Sequence, residues 1–219
     1  MVLLCFDMDN TLLRSNKAHV KAFNKAFVKL GLKKVKAKSL IEHFGKVGIL
    51  VIKAVYPMLS DKEAEKILLL HNQLVAKETA KYAKQINGAD KSLKQLKKMG
   101  FKLALLTNCS HSEIKALLKS AGIDAKSFRL FVGADDVRHG KPWPDEILKA
   151  RKALKAHCIY MIGDSVYDVR TGKKANAKTI SVLTGDFTRK QLLKEKPDYI
   201  LKSVREVPAL MKKIYKEKN

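Results

Sequence analysis

Four polar segments, each of which follows an apolar run, carry the residues of this sequence that could do chemistry. They are Asp7–Thr11, Thr107-Asn108, Gly140–Asp145 and Gly163–Asp168. In an open parallel sheet, the ligand crevice lies at the carboxyl ends of the strands. If the apolar runs are strands, the four segments meet at one crevice and supply carboxylates, a hydroxyl and a lysine.

The first segment holds two carboxylates, Asp7 and Asp9, which project to the same side of an extended chain. Phosphoryl transfer asks a protein mainly to position the reactants and to neutralise charge on the phosphoryl oxygens. We therefore predict that ionised Asp7 is a nucleophile that forms an aspartyl-phosphate. Asp9 would protonate the leaving oxygen and later take a proton from the attacking water.

Three residues of the later segments could complete a phosphate site. The hydroxyl of Thr107 and the backbone amide of Asn108 offer hydrogen-bond donors to phosphate oxygens. Lys141 offers a compact positive charge on a loop that flanking prolines stiffen. A hard, octahedral ion such as Mg²⁺ would relieve the repulsion between the carboxylate nucleophile and the phosphate.

The elements that must position these segments are short apolar runs that alternate with helical patterns. This alternation predicts an α/β fold, a doubly wound parallel sheet with helices on both faces. The predicted strands are Val2–Phe6, Phe101–Leu106, Arg129–Val132, Ile159–Ile162, Thr179–Leu183 and Tyr199–Leu201.

Residues 15–85 have a different pattern, with helix after helix and no series of strands. An apolar stripe of Val20, Phe23, Phe27 and Leu30 marks one of these helices. We therefore predict a small α-helical cap domain at residues 15–85, inserted into a catalytic core of residues 1–14 and 86–219.

The ordered set of motifs resembles the haloacid dehalogenase superfamily over nearly the whole chain. An insertion between the first and second motifs is similar to the subclass of phosphoglycolate phosphatases, β-phosphoglucomutases and related pyrophosphatases. The resemblance implies Mg²⁺ bound by Asp7, the backbone carbonyl of Asp9 and Asp164, with Asp168 as a supporting ligand or outer-shell partner. Met8 and Asn10 stand where family members usually carry Phe and Gly, and neither change removes a reacting group.

The segment His43–Gly48 interrupts a helical pattern with two glycines. It resembles the substrate-specificity loop that this type of cap lowers over the crevice. Lys46 could meet a substrate carboxylate or a second phosphate there. An ordinary turn between helices with an exposed lysine is the alternative, and the sequence leaves both open.

Together the motifs predict a Mg²⁺-dependent phosphatase that acts on a small phosphorylated metabolite, similar to phosphoglycolate phosphatases. A phosphomutase of the β-phosphoglucomutase type and a phosphatase acting on nucleotide or polynucleotide ends remain alternatives. A binding protein without chemistry is disfavoured because no reacting residue is missing. A dehalogenase needs neither a metal nor the second carboxylate, so Asp9 and Asp164 argue against that activity.

Composition bounds the partners and the location. The sequence has 45 Lys and Arg against 21 Asp and Glu, a formal charge of +24, but its lysines are spread along the chain. This spread indicates a solvated surface, or the attraction of small phosphorylated substrates, and at most weak nonspecific nucleic-acid binding.

No apolar run is long enough to span a bilayer or to form a signal peptide, so we expect a cytoplasmic protein without a membrane partner. The histidines have no spacing typical of zinc sites, so nothing in the sequence supports a second metal. The oligomeric state is not predictable from the sequence.

Overall fold

Eight strands, six of which form one parallel sheet, organise the computed structural model, which describes residues 1–216. The strands are β1 (Val2–Phe6), β2 (Leu13–Arg14), β3 (Lys84–Gln85), β4 (Lys102–Leu106), β5 (Leu130–Val132), β6 (Cys158–Gly163), β7 (Lys178–Val182) and β8 (Tyr199–Leu201). The large sheet has the order β5-β4-β1-β6-β7-β8, and all of its neighbouring strands are parallel.

Alternate residues of β1 pack on opposite faces of this sheet, as the two-residue period of a strand requires. Leu4 and Phe6 belong to one buried apolar cluster, and Leu3 and Cys5 belong to the other. Both faces are therefore covered, which confirms the predicted doubly wound α/β fold. Each predicted strand of this sheet agrees with the observed one to within one residue at either end.

Ten α-helices surround the sheet or lie in the segment between β2 and β3, within residues 1–216. Those between β2 and β3 are α1 (Asn16–Lys29), α2 (Ala37–Ile41), α3 (Gly48–Val55) and α4 (Asp61–Leu74). The others are α5 (Ala89–Lys98), α6 (His111–Ala121), α7 (Asp145–Leu154), α8 (Val166–Lys174), α9 (Arg189–Lys194) and α10 (Val207–Lys216). No helix within residues 1–216 is both long and apolar enough to cross a membrane.

The segment between β2 and β3, here called the helical insertion, starts and ends at one place. β2 and β3 pair antiparallel, with Leu13 opposite Gln85 and Arg14 opposite Lys84. The chain therefore enters and leaves the helical insertion side by side. The sequence analysis missed both strands because two residues are too few to show a periodic pattern.

The buried face of α1 differs from the predicted apolar stripe. Leu30 is 45 % exposed because the helix ends at Lys29, and Val20 is only half-buried. The residues that α1 buries are Ala18, His19, Ala22, Phe23, Ala26 and Phe27. A histidine thus takes a position on the face by which α1 packs against α4.

The chain reverses its direction across the sheet at β1. From β1 it runs to β4 and β5 on one side, and β6 then returns to the other side of β1. Such a switch point opens a crevice at the carboxyl ends of the strands. The segment that starts at Asp7 therefore emerges in the middle of this crevice.

Candidate active site

A buried lysine joins two carboxylates at the carboxyl ends of β1 and β6. Lys141 Nζ donates to Asp7 Oδ1 at 2.7 Å and to Asp168 Oδ1 at 2.8 Å. The other oxygen of Asp168 accepts hydrogen bonds from the backbone amide and the hydroxyl of Ser165, at 3.0 and 2.5 Å. Because both oxygens of Asp168 already have protein partners, its position favours an outer-shell role over direct ligation of a metal.

Asp164, which follows β6, lies beside this group. The hydroxyl of Thr11 donates to Asp164 Oδ1 at 3.0 Å. A Cβ atom at Gly185 would stand 1.7 Å from Asp164 Oδ2, so a side chain there would displace the carboxylate. The loop after β7 therefore approaches Asp164 closely because residue 185 is glycine.

The three acidic residues Asp7, Asp164 and Asp168 offer oxygens that lie within 4.8 Å of one another. Burial raises the pKa of Asp7 to about 8, with Lys141 opposing the rise and the charges of Asp168 and Asp9 adding to it. Burial and the charge of Asp7 also raise the pKa of Asp164 well above its ordinary value. A divalent cation would offset this repulsion, and a ligand set of oxygens alone fits a hard ion such as Mg²⁺.

The side chain of Asp9 is bonded to two different partners. His19 Nε2 lies 3.3 Å from Asp9 Oδ1, and Cys109 Sγ donates to Asp9 Oδ2 at 3.2 Å. Burial raises the pKa of Asp9, but the hydrogen bond and charge of His19 outweigh burial and leave the pKa at about 2. Although burial opposes it, the same contact raises the pKa of His19. The proton that Asp9 is predicted to deliver is therefore held by the His19 imidazole in this arrangement.

Behind His19 stands a second buried histidine. His19 Nδ1 lies 3.2 Å from His71 Nε2, and His71 Nδ1 lies 2.9 Å from Asn72 Oδ1 and 3.7 Å from Glu113 Oε1. Burial, and then the charge of His19, lower the pKa of His71 to about 3, so His71 is neutral. The two histidines are 52 positions apart and form no recognisable motif, and the sequence analysis therefore missed this cluster. The available signal was position: His19 lies four residues before Phe23, and His71 lies four residues after Ile67, on buried helix faces.

Thr107 and Asn108 follow β4, as predicted. Thr107 Oγ1 accepts a hydrogen bond from the backbone amide of Cys109 at 3.2 Å. The side chain of Asn108 connects two loops: Oδ1 accepts from the Lys141 amide at 3.0 Å, and Nδ2 donates to the carbonyl of Gly45 at 3.0 Å. Asn108 thus ties the lysine loop to the helical insertion, which the prediction for its backbone amide did not anticipate.

The loop that carries Lys46 packs closely against the core. Gly45 has a φ of +92°, and a Cβ atom there would stand 2.8 Å from the Tyr167 ring, so both its conformation and its surroundings favour glycine. Lys46 is half-buried, and its Nζ lies 3.3 Å from His43 Nδ1. Lys46 is therefore held at the cleft by a neighbour on its own loop, not extended into solvent.

All eight predicted site residues line one cleft of about 180 Å³. Their catalytic and binding roles stay predictions. Opposite the acidic group, the helical insertion contributes a mainly apolar wall. It includes Phe23, Phe44, Val47 and Leu68, and Phe187 of the core lies at the same cleft.

Asn10, which stands where family members usually carry glycine, has a φ of 55°, in the left-handed region that glycine adopts more freely. Its side-chain amide donates to Asn16 Oδ1 at 2.9 Å and to Asp186 Oδ2 at 3.1 Å. The amide of Asn16 also donates to Asp186 Oδ2, at 2.8 Å. These three residues line the cleft, and the sequence analysis missed Asn16 and Asp186 because neither belongs to a motif.

The chain is similar to known proteins over most of its length. The sequence pattern of the family described as haloacid dehalogenase-like hydrolase matches residues 4–182. The pyrophosphatase PpaX of Halalkalibacterium halodurans is 29 % identical over 204 residues, covering 91 % of each chain. The pyrophosphatase PpaX of Bacillus mycoides is 24 % identical over 211 residues, covering 95 % of this chain and 96 % of the relative.

A solved structure has the same fold over nearly all of the chain. The structure of a hydrolase from Pseudomonas syringae superposes with a TM-score of 0.84 at 23 % identity. The match covers 98 % of this chain and 99 % of the other. The likeness therefore covers both the sheet and the helical insertion.

Proposed function

Because the chain belongs to the haloacid dehalogenase-like hydrolase family and is a phosphatase of that type, we propose that it hydrolyses a small phosphorylated metabolite through an aspartyl-phosphate at Asp7, with Mg²⁺ as cofactor. The observation that carries the proposal is the convergence of Asp7, Lys141 and Asp164 in one cleft, with Asp9 close by. A nucleophile, a fixed positive charge and a candidate cation site then act on the same phosphate.

In the first step, a carboxylate oxygen of Asp7 attacks phosphorus, and the bond between phosphorus and the leaving oxygen breaks. Lys141, bonded to Asp7 at 2.7 Å, orients this carboxylate and neutralises charge on the phosphoryl oxygens. The Thr107 hydroxyl and the Asn108 backbone amide would donate to those oxygens. The product is an acyl phosphate on Asp7.

Asp9 would move the protons of both steps. In the first step Asp9 takes up a proton from His19, 3.3 Å away, and passes it to the leaving oxygen, which leaves Asp9 ionised. In the second step, Asp9 accepts a proton from water as the water attacks phosphorus. The bond between Asp7 and phosphorus then breaks, which releases inorganic phosphate and restores the Asp7 carboxylate.

Mg²⁺, when bound, would offset the negative charge of the nucleophile and the phosphate. The carboxylates of Asp7 and Asp164 and the backbone carbonyl of Asp9 would hold it. Asp168 would support the site by fixing Lys141, to which it is bonded at 2.8 Å.

The helical insertion supports a proposal on the substrate. We infer that residues 15–85 act as a cap over a catalytic core of residues 1–14 and 86–219. Its wall at the cleft is mainly apolar, and Lys46 supplies a cation there. This combination favours a phosphate monoester whose leaving group has a carbon skeleton and one anionic group, because apolar contacts and a single lysine could hold both.

Pyrophosphate is the second candidate substrate. The observation that favours it is the name pyrophosphatase PpaX, borne by relatives that match more than nine-tenths of the chain. Lys46 would then meet the second phosphate. The apolar wall would gain nothing from that substrate, which is why we place the monoester first.

The test is the rate of phosphate release from a panel of phosphorylated compounds. The panel holds phosphoglycolate, sugar phosphates, nucleotides, pyrophosphate, an aryl phosphate and a short 3′-phosphorylated oligonucleotide, each with Mg²⁺ and with excess chelator. We expect Mg²⁺-dependent turnover, highest kcat/KM on a carbon-linked monoester, and poor rescue by Ca²⁺ because its looser coordination need not align the reactants.

The matched control is Asp7→Asn, a near-isosteric change that should release no phosphate from any compound. Full activity in excess chelator would contradict the role of the ion. A kcat/KM for pyrophosphate above that for every monoester would move the second candidate into first place.

A further inference from the structure

Three side chains of different chemistry converge beside the acidic group. Asp9 Oδ2 lies 3.2 Å from Cys109 Sγ, and Asp9 Oδ1 lies 3.3 Å from His19 Nε2. One ligand atom from each of the three residues lies within 4.8 Å of the others. His19 and Cys109 are buried, and Asp9 keeps 27 % of its side chain exposed. The cluster is therefore preorganised and open on its carboxylate side.

The three ligand types together match one class of metal ion. Thiolate, imidazole and carboxylate are the donors that zinc uses in proteins, at about 2.0–2.3 Å. Two such ligands on a tetrahedral ion are separated by roughly 3.4–3.6 Å. Cys109 Sγ lies 3.2 Å from Asp9 Oδ2, His19 Nε2 lies 3.3 Å from Asp9 Oδ1, and one ligand atom from each residue lies within 4.8 Å of the others. An ion could therefore enter with side-chain shifts of up to about 1 Å.

The surroundings of His19 would orient it for such an ion. A zinc-bound histidine usually donates its other ring N–H to a polar neighbour, which fixes the ring and its tautomer. His71 Nε2 stands 3.2 Å from His19 Nδ1 and can accept that hydrogen. The lone pair of His19 Nε2 would then be directed at the space between Asp9 and Cys109.

The cluster differs in kind from the group formed by Asp7, Asp164 and Asp168. That group offers only carboxylate oxygens, which suit hard ions such as Mg²⁺. A thiolate and an imidazole instead select softer ions, of which Zn²⁺ binds such sites more tightly than Mg²⁺ does. An ion at either place would thus leave the other available.

We propose that Asp9, His19 and Cys109 form a second cation site that takes Zn²⁺ or a similar soft divalent ion, and that its occupation blocks the enzyme. Binding would release the thiol proton of Cys109 and the Nε2 proton of His19 to solvent, and bonds to the ion would replace the contact between His19 and Asp9. The Asp9 carboxylate is then unable to carry protons. The binding part stands by itself, whereas the inhibition rests on the proposed function.

The binding part is tested with Co²⁺, which takes zinc sites and has a visible spectrum. The protein is held in saturating Mg²⁺ and a thiol-free reductant, and Co²⁺ is added. We expect a thiolate-to-cobalt charge-transfer band that Zn²⁺ abolishes. The band should be absent in Cys109→Ser and retained in Cys158→Ser. Cys158 is the matched control because it is the first residue of β6, at the end of the strand away from the cleft. Its Sγ lies 3.5 Å from the Tyr215 hydroxyl.

The inhibition part is tested by titrating Zn²⁺ into the phosphatase assay at saturating Mg²⁺. Serine at position 109 keeps a hydroxyl that can donate to Asp9, but the substitution can still change the rate. The inhibited rate of each variant is therefore compared with the rate of the same variant without zinc. We expect the half-inhibitory Zn²⁺ concentration to rise at least about tenfold in Cys109→Ser and to stay unchanged in Cys158→Ser.

Two results would overturn the proposal. One is a Co²⁺ spectrum without a charge-transfer band in the wild type, or with an equal band in Cys109→Ser. The other is equal Zn²⁺ sensitivity of the wild type and Cys109→Ser, which would assign inhibition to the oxygen-only group. If no substrate is turned over, the proposed function fails while the cobalt spectrum still decides whether the site exists.

Discussion

The two walls of the cleft are built from different kinds of element. On the core wall, Asp7, Thr107 and Asp164 follow directly after β1, β4 and β6. On the wall of the helical insertion, His19 and His71 come from the faces of α1 and α4, and Lys46 comes from a loop. The core wall is charged and linked by short ion pairs, whereas the insertion wall is mainly apolar.

This difference indicates a division of labour. Residues at the ends of parallel strands are fixed by the sheet itself, so they can hold reacting atoms to within fractions of an ångström. Residues on the insertion depend on helix packing and on the two short paired strands, β2 and β3, at which the insertion begins and ends. We therefore expect changes on the core wall to affect the chemical step, and changes on the insertion wall, other than at the proton-supplying His19, to affect substrate choice.

The largest effect should come from Asp7→Asn. Loss of the nucleophile should lower kcat by about 10⁴-fold or more, because no other group can form the acyl phosphate. Steady-state assays at saturating substrate measure this effect. Asp61→Asn, an exposed change of equal charge on the insertion, is the control and should leave kcat within about twofold. Wild-type turnover by Asp7→Asn would rule out the covalent mechanism.

A smaller loss is expected for Asp9→Asn. Removal of a general acid and base should lower kcat by about 10²–10⁴-fold while the fold persists. The loss should be smaller for an aryl phosphate, whose leaving group needs no proton. A comparison of aryl and alkyl phosphates measures this difference. Equal losses on both substrates would place Asp9 outside the protonation of the leaving group.

Lys46→Ala should act on binding alone. We expect KM for the best metabolite of the panel to rise about tenfold with little change in kcat, because the lysine would contact a remote anionic group. KM for a small aryl phosphate should stay unchanged. Lys62→Ala, an exposed change on α4, serves as the control. If Lys46→Ala and the wild type have equal kinetics on both compounds, substrate choice belongs to other residues of the insertion.

The smallest effect concerns stability. The folded pKa of Asp7, about 8, lies above its ordinary value of 3.8, so the folded state binds this proton more tightly and loses stability as pH rises between those values. Asp7→Asn should therefore raise Tm at pH 8.5 without metal by a few degrees. The gain should shrink toward pH 5 and on addition of Mg²⁺. Thermal scans across pH measure it, and a gain independent of pH would contradict this origin.

His71 on the insertion should have the opposite pH dependence. Its folded pKa of about 3 lies below the ordinary 6.5, so the unfolded state binds this proton more tightly and stability falls as pH falls through that range. His71→Gln should flatten the acid side of the Tm profile.

How well each wall of the cleft could be predicted from the sequence depends on the elements that form it. Asp7, Thr107 and Asp164 could be placed in the cleft because each directly follows an apolar run, and parallel strands bring such positions together. Lys141 lies nine residues after Val132 and was placed through the ordered set of motifs. The positions of the six sheet strands followed from the same runs. Individual hydrogen bonds could not be predicted, such as the one that the Asn108 side chain donates to the Gly45 carbonyl of the insertion.

The insertion wall was harder to predict because helix faces are assigned from apolar residues. His19 was left off the face of α1 because it is polar, while Leu30 was included although the helix ends before it. The contact between His19 and His71 depends on how α1 packs against α4, which no spacing encodes. Lys46 could be placed only by the resemblance of its loop.

The central claim, covalent catalysis at Asp7, is tested most directly by trapping the phosphoenzyme. Asp9→Asn, in which hydrolysis of the acyl phosphate should be slow, is mixed with Mg²⁺ and an aryl phosphate, quenched in acid and reduced with borohydride. Peptide mass spectrometry then locates the reduced carboxyl. We predict homoserine at position 7, and none when Mg²⁺ or substrate is omitted. An unmodified Asp7 during burst release of the aryl alcohol, or a phosphoryl group on another residue, would contradict the account.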